Sequence, residues 1–254
     1  MPKNTPTPEY QVYPQYSILK VFGLSVIPGI LVALVFTVLT PLVSSFDYPP
    51  LFAFLLAVLL IGLPFELGTM LYLGKKENNR LSLAGIVLYR ESMPAWQYLV
   101  IIPIAFAVTF AALSLLLPVE SGYASRLFAF LPDWLFMDDA GQYVGYEQTS
   151  LVVIFVLAVI VRGIAIPIVE ELYFRGFLLP RISRFKLWAP VIGGLFFAVY
   201  HIWQPMAFIT VFVTGIILGA IVQWKRNVYL SIALHMLANT ISAVMALMLI
   251  LGGN

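Results

Sequence analysis

Seven stretches of this chain are long, apolar and nearly free of charge, and they restrict its fold more than anything else in the sequence. They run over residues 21–43, 51–73, 98–117, 151–179, 187–203, 206–224 and 228–251. A bilayer core about 30 Å thick takes about 20 apolar residues of α-helix, and in lipid the backbone polar groups must be satisfied within the segment. The stretches therefore predict an all-α, polytopic transmembrane helix bundle of about seven spans, the fifth and sixth short and the fourth long. Composition agrees: 61% of the residues are hydrophobic, 10% are charged and the mean hydropathy is +0.97. The net charge of +2 comes from scattered Lys and Arg, which excludes a dedicated nucleic-acid binder. With no cysteine, disulfides, thiolate metal sites and a Cys nucleophile are excluded as well.

Charge sets the expected topology. Lys3 and Lys20 precede the first span, Lys75, Lys76, Arg80 and Arg90 follow the second, Arg181, Arg184 and Lys186 follow the fourth, and Lys225 and Arg226 follow the sixth. The opposite loops carry Arg126 among Glu120, Asp133, Asp138, Asp139 and Glu147. The positive-inside rule then gives a cytoplasmic N-terminus and an extracytoplasmic C-terminus; the expected location is the cell membrane of a prokaryote. Residues 1–16, with four prolines, read as a disordered cytoplasmic tail and not as a signal peptide. Residues 17–150 read as accessory helices, with an interfacial segment at 81–97 and one extracytoplasmic loop at 118–150. Residues 151–254 read as the remaining group of transmembrane helices.

An ionisable side chain inside a span needs a partner or a task. Glu66, Arg162, Glu170, Glu171, Arg175, His201 and His235 are in that position, and both histidines of the chain are among them. Residues four apart share a helix face while neighbours point about 100° apart. Glu171 therefore pairs with Arg175 and Glu170 is left as the free carboxylate. His235 and Asn239 share a face of the last helix, and His201 offers a third group from the fifth. Glu170 and His235 each lie nine residues from an inner helix end, about 14 Å. His201 is nominally about 22 Å deep, so it joins them only if its helix starts late or tilts. A poorly solvated carboxylate suits a general base acting on water, and His235 with Asn239 suits an oxyanion formed when that water attacks a peptide carbonyl. The set reads as an amide hydrolase within the membrane.

The three patterns Glu170-Glu171-x-x-x-Arg175, Phe197-x-x-x-His201 and His235-x-x-x-Asn239 resemble the CPBP family of CAAX proteases and bacteriocin-processing enzymes, whose motifs are EExxxR, FxxxH and HxxxN. The resemblance covers about 151–251, a four-helix catalytic core. It implies Glu170 as the water-activating base assisted by His201, Glu171 and Arg175 as a supporting pair, and His235 with Asn239 as the oxyanion site. It also implies a membrane-associated peptide or protein substrate, prenylated for the eukaryotic members.

Other readings of the same residues stand beside this one. Glu170, His201 and His235 form a possible zinc ligand set with an open water position, although no cofactor is favoured. A non-catalytic scaffold or immunity protein would keep the fold. A transporter would show repeat symmetry and paired broken helices, which the sequence lacks. Pro167 is expected to kink the fourth helix. Gly215 and Gly219 are expected to let helices approach, and Phe197 to pack. Glu66, at the height of Arg175, is expected to pair with it, and Arg162 to reach the acidic loop or a substrate carboxylate.

Overall fold

The computed structural model describes residues 13–137 and 140–252. Most of the tail expected to be disordered, with Lys3, and Asp138 and Asp139 of the acidic loop lie outside the described residues. The architecture is helical, with α1 Ile18–Ser44, α2 Pro50–Ala57, α3 Leu63–Asn78, α4 Ala95–Leu127, α5 Gln148–Ile160, α6 Ile166–Glu171, α7 Ala189–Tyr200, α8 Phe208–Lys225 and α9 Val228–Gly252. Three π-helical turns, Val58–Gly62, Val161–Ala165 and Leu172–Leu178, join α2 to α3, α5 to α6, and α6 to a 3-10 segment at Leu179–Trp188.

Six helical runs among the described residues, not seven, are long and apolar enough to cross a membrane. The difference lies in the fourth and fifth expected spans, which merge into one 53-residue run from Gln148 to Tyr200. Straight, such a helix would be about 80 Å long, far more than a bilayer holds, and the chain breaks direction at Lys186 (φ 53°, ψ −123°). Beyond the break lies α7, whose 12 residues reach only about 18 Å. It pairs with α8 across glycines: a Cβ on Gly215 would lie 2.8 Å from Gly194 Cα, so the two backbones touch and Gly215 has the packing role expected of it.

Two connections also differ from expectation. Helix α4 continues ten residues beyond 117, to Leu127, because its outer end has a partner. Buried Glu120 accepts hydrogen bonds from the Thr210 backbone N–H at 2.9 Å and from the Thr210 hydroxyl, which caps the start of α8, and the Tyr123 hydroxyl donates to the Met206 carbonyl at 2.8 Å. The 81–97 segment does not simply lie along an interface. Ile86, Val87 and Tyr89 are buried, and the strap is stitched inward by Leu88 N–H to Gly176 O at 2.8 Å and Val228 N–H to Tyr89 O at 2.7 Å.

At the same end of the bundle, Arg181 is buried rather than part of an open basic loop, and it donates to Phe177 O at 2.6 Å and Ile86 O at 3.0 Å. The described end of the tail docks there too: Tyr16 N–H reaches Arg181 O at 2.9 Å, and Gln15 bonds Ser183 and the Arg184 N–H. Residues 13–16 are therefore packed. The acidic loop closes the opposite end, with Trp134 edge-on to Phe36 at 5.2 Å.

Candidate active site

The two adjacent glutamates sit at the end of α6, a six-residue α-helical piece between two π-turns. A π-turn widens the helix by one residue and recurs at functional sites. Here Pro167 supplies the cause. The Ile166 N–H bonds Val161 O, five residues back, and in that register the next donor would be residue 167, which as proline has no N–H to give Arg162 O. The kink expected at Pro167 takes this form.

Glu170 and Glu171 are 2% and 0% exposed, and Arg175 is 3% exposed. One oxygen of Glu171, Oε1, accepts from Arg175 Nη1 at 2.9 Å and from His235 Nδ1 at 2.9 Å. The other arm of Arg175 reaches the Gly215 carbonyl at 3.4 Å. The expected Glu171–Arg175 pair is therefore present, and it extends to His235 on α9. Glu170 shares none of these bonds and makes no ion pair with any described residue.

Helix α7 starts at Ala189, two residues after the expected start. His201 is half-buried at the C-cap, and its Nδ1 contacts the Phe197 carbonyl at 2.8 Å. A carbonyl only accepts, so Nδ1 carries the proton and the Nε2 of the neutral ring has a free lone pair. The Phe197 ring fills the space between the two histidines, 4.5 Å from the His201 ring and 6.2 Å from that of His235, with the Arg175 guanidinium 4.1 Å from its centre. Phe197 thus packs, as expected, and spaces the site as it does so.

Asn239 lies one turn beyond His235, but its Nδ2 donates to Arg162 O at 3.1 Å, the carbonyl that Pro167 leaves unserved. Thr240 makes the neighbouring bond to Gly163 O at 3.2 Å. One Nδ2 hydrogen and the Oδ1 of Asn239 are left for other partners.

The expected Glu66–Arg175 pair is absent. Glu66 is fully buried on α3 with neither carboxyl oxygen hydrogen-bonded among the described residues. Equal depth on two helices places residues at one height without saying which way each points. Among the described residues no three His, Asp or Glu side chains, Glu170, His201 and His235 included, are grouped to hold a metal ion. Tyr200, buried against Phe174 and Trp203, is a site residue that sequence reasoning missed. Its signal was available, since a tyrosine hydroxyl at mid-span needs a polar partner.

Residues 152–241 match the family model of the Rce1-like type II CAAX prenyl endopeptidases. This stretch is an Rce1-like domain. It contains all three motifs and, with the six membrane-length helices, supports a CAAX-type intramembrane protease in general. Glu66 and the rest of the first four helices lie outside the Rce1-like stretch. No curated protein and no solved structure gives a significant match to the chain.

Proposed function

We propose that the protein is a glutamate-type intramembrane endopeptidase. It hydrolyses a peptide bond of a membrane-associated protein or peptide, with a prenylated C-terminal segment as the first substrate to test. The observation that carries this reading is the division between adjacent glutamates: Glu171 is committed to Arg175 and His235, whereas Glu170 has no ion-pair partner among the described residues. A scaffold would have no use for that second carboxylate at such depth.

In the reaction, Glu170 takes a proton from water as the water oxygen bonds to the scissile carbonyl carbon, and His201 orients the same water through its Nε2 lone pair. Such general-base assistance contributes about 10²–10⁴-fold. The oxyanion accepts from His235 Nε2–H and from the second Nδ2 hydrogen of Asn239, a class of interaction worth about 3–4 kcal/mol. For Nε2 to donate while Nδ1–H faces Glu171, the His235 ring must carry both protons, and the Glu171 carboxylate balances that charge. The carbon–nitrogen bond then breaks as Glu170 returns its proton to the leaving amine. No step of this reading runs through a metal.

The basic end of the bundle, where Lys75, Lys76, Arg80, Arg90, Arg184 and Lys225 lie, is the cytoplasmic side by the positive-inside rule, which gives a cytoplasmic N-terminus and an extracytoplasmic C-terminus. The experiment is peptide cleavage by purified, chelator-treated protein against prenylated and unprenylated C-terminal peptides, with Glu170→Gln alongside. Cleavage that survives chelation and is lost in the variant is the expected result. Cleavage restored only by added zinc overturns the metal-free reading, and cleavage unchanged in the variant overturns the role of Glu170.

A further inference from the structure

Tyr173 ties the helix of the two glutamates to α1. It is fully buried in the π-turn Leu172–Leu178, and its hydroxyl donates to the Leu24 carbonyl at 2.9 Å. In an α-helix the donor to Leu24 O is the N–H of residue 28, and residue 28 of α1 is a proline, which has no N–H. A contact of another kind lies one residue on. A Cβ on Gly29 would lie 2.1 Å from the Tyr200 carbonyl oxygen, so α1 meets α7 backbone to backbone beside His201, the C-cap of α7. On the site side, Tyr173 follows Glu170 by three residues, and residues three apart are neighbours on a helix surface. Its ring stands against Phe174 at 5.4 Å, and Phe174 stands against Phe197 at 5.0 Å, the ring that spaces the two histidines. A π-turn takes the chain out of the α-helical register, so the helical period alone does not set how the glutamates are rotated about their axis. A bond to a neighbouring helix does.

We propose that Tyr173 is a positioning residue of the active site: bonded to the carbonyl that Pro28 leaves unserved in α1, it sets the rotation of Glu170 and Glu171 about their helix axis. This rests on the protease reading above. Tyr173 touches neither water nor peptide and acts through the helix it belongs to. Asn239 makes the corresponding bond to the carbonyl that Pro167 leaves unserved, so the glutamates are fixed to neighbouring helices on both sides of α6. Because α1 lies outside the Rce1-like stretch, one of those two fixed points comes from the accessory helices.

The test is a double-mutant cycle on purified, chelator-treated full-length protein with a prenylated C-terminal peptide: wild type, Tyr173→Phe, Pro28→Ala and the two substitutions together. Pro28→Ala gives Leu24 O a backbone donor, so in that background the loss of the Tyr173 hydroxyl no longer strands a carbonyl. Tyr173→Phe is expected to lower the thermal transition in the wild-type background and to lower it less in the Pro28→Ala background. In both backgrounds it is expected to lower kcat at least about tenfold with KM within about twofold. The chain has no cysteine, so Leu19→Cys on α1 and Ile160→Cys on α5, both exposed positions, can carry a pair of spin labels. Tyr173→Phe is expected to broaden the distance between them in both backgrounds. A kcat loss confined to the wild-type background means that Tyr173 only serves the Leu24 carbonyl, and it overturns the proposal, as does an unchanged kcat in both. Should Tyr173→Phe alone fail to fold, the comparison within the Pro28→Ala background decides by the same criterion. A broadened distance in a protein whose wild type cleaves no peptide sinks the protease reading and leaves the tie to α1 standing, whereas an unbroadened one overturns the tie as well.

Discussion

Asn239 serves the Arg162 carbonyl that Pro167 cannot. The Nδ2 of Asn239 lies 3.1 Å from that oxygen, so one side chain of the last helix repairs a break in the helix that carries the glutamates and fixes the distance between the two. Removing one partner of a buried hydrogen bond costs about 1–3 kcal/mol. Asn239→Ala should therefore lower thermal stability as well as activity. The double variant Pro167→Ala with Asn239→Ala separates the two effects. Alanine at 167 restores a backbone N–H, so stability should return toward wild type while activity stays low, because the oxyanion donor is still missing. Unfolding in detergent, run beside peptide cleavage, checks this, and recovery of activity in the double variant would assign Asn239 to structure alone.

The neighbouring glutamates should respond in opposite ways. Glu170→Gln removes a base without breaking an ion pair, so its thermal transition should stay close to wild type while kcat falls at least about a hundredfold. Glu171→Gln leaves the buried Arg175 and His235 without their carboxylate, a change that costs about 3–5 kcal/mol when one partner of a buried pair is lost. Its transition should fall steeply, and activity with it. Equal stability losses in the two variants would contradict the division of roles.

The site was legible in the sequence wherever a single helix settles it. The spacing of four predicts that Glu171 and Arg175 share a face, and they meet at 2.9 Å. Relations between helices were less so. The expected Glu66–Arg175 pair was argued from depth, and depth leaves rotation about the helix axis open. The π-turn at Val161–Ala165 adds a further rotation that a regular period does not contain, and it leaves the Arg162 carbonyl within reach of Asn239. The fifth span, drawn from hydropathy as 187–203, does begin beyond the break at Lys186, but hydropathy does not register that only 12 of its residues are helical in α7.

Gly29 on α1 is where the accessory helices press hardest on the site. A Cβ there would lie 2.1 Å from the Tyr200 carbonyl oxygen, a backbone atom one residue from His201. Gly29→Ala should push α1 away from α7, cost about 1–3 kcal/mol as overpacking does, and impair catalysis by moving Tyr200 and His201 together. Gly23, six residues earlier on the same helix, has nothing within 4 Å of its would-be Cβ, so Gly23→Ala is the control that adds the same methyl without the contact. Thermal unfolding and peptide cleavage of the two variants should diverge, and matching behaviour would mean that α1 does not buttress the site.

Glu147 gives the protein a pH-dependent element at the outer end of α5. It is the N-cap, and its carboxylate accepts from Thr149 N–H at 3.1 Å, Ser150 N–H at 2.8 Å and the Ser150 hydroxyl at 3.1 Å. Hydrogen bonding from Thr149, then from the Ser150 backbone, holds its pKa down at about 2, from an ordinary 4.5. A carboxyl group whose pKa is depressed on folding contributes stability that is complete above its unfolded value and is lost as the pH falls through the folded one. The cap should therefore hold above about pH 4.5 and weaken toward pH 2, even though the group is exposed. Hydrogen exchange at the Thr149 and Ser150 amides, corrected for intrinsic rates, should show protection falling across that window in wild type and a flat response in Glu147→Gln. Identical curves for the two proteins would show that the carboxylate does not hold the start of α5.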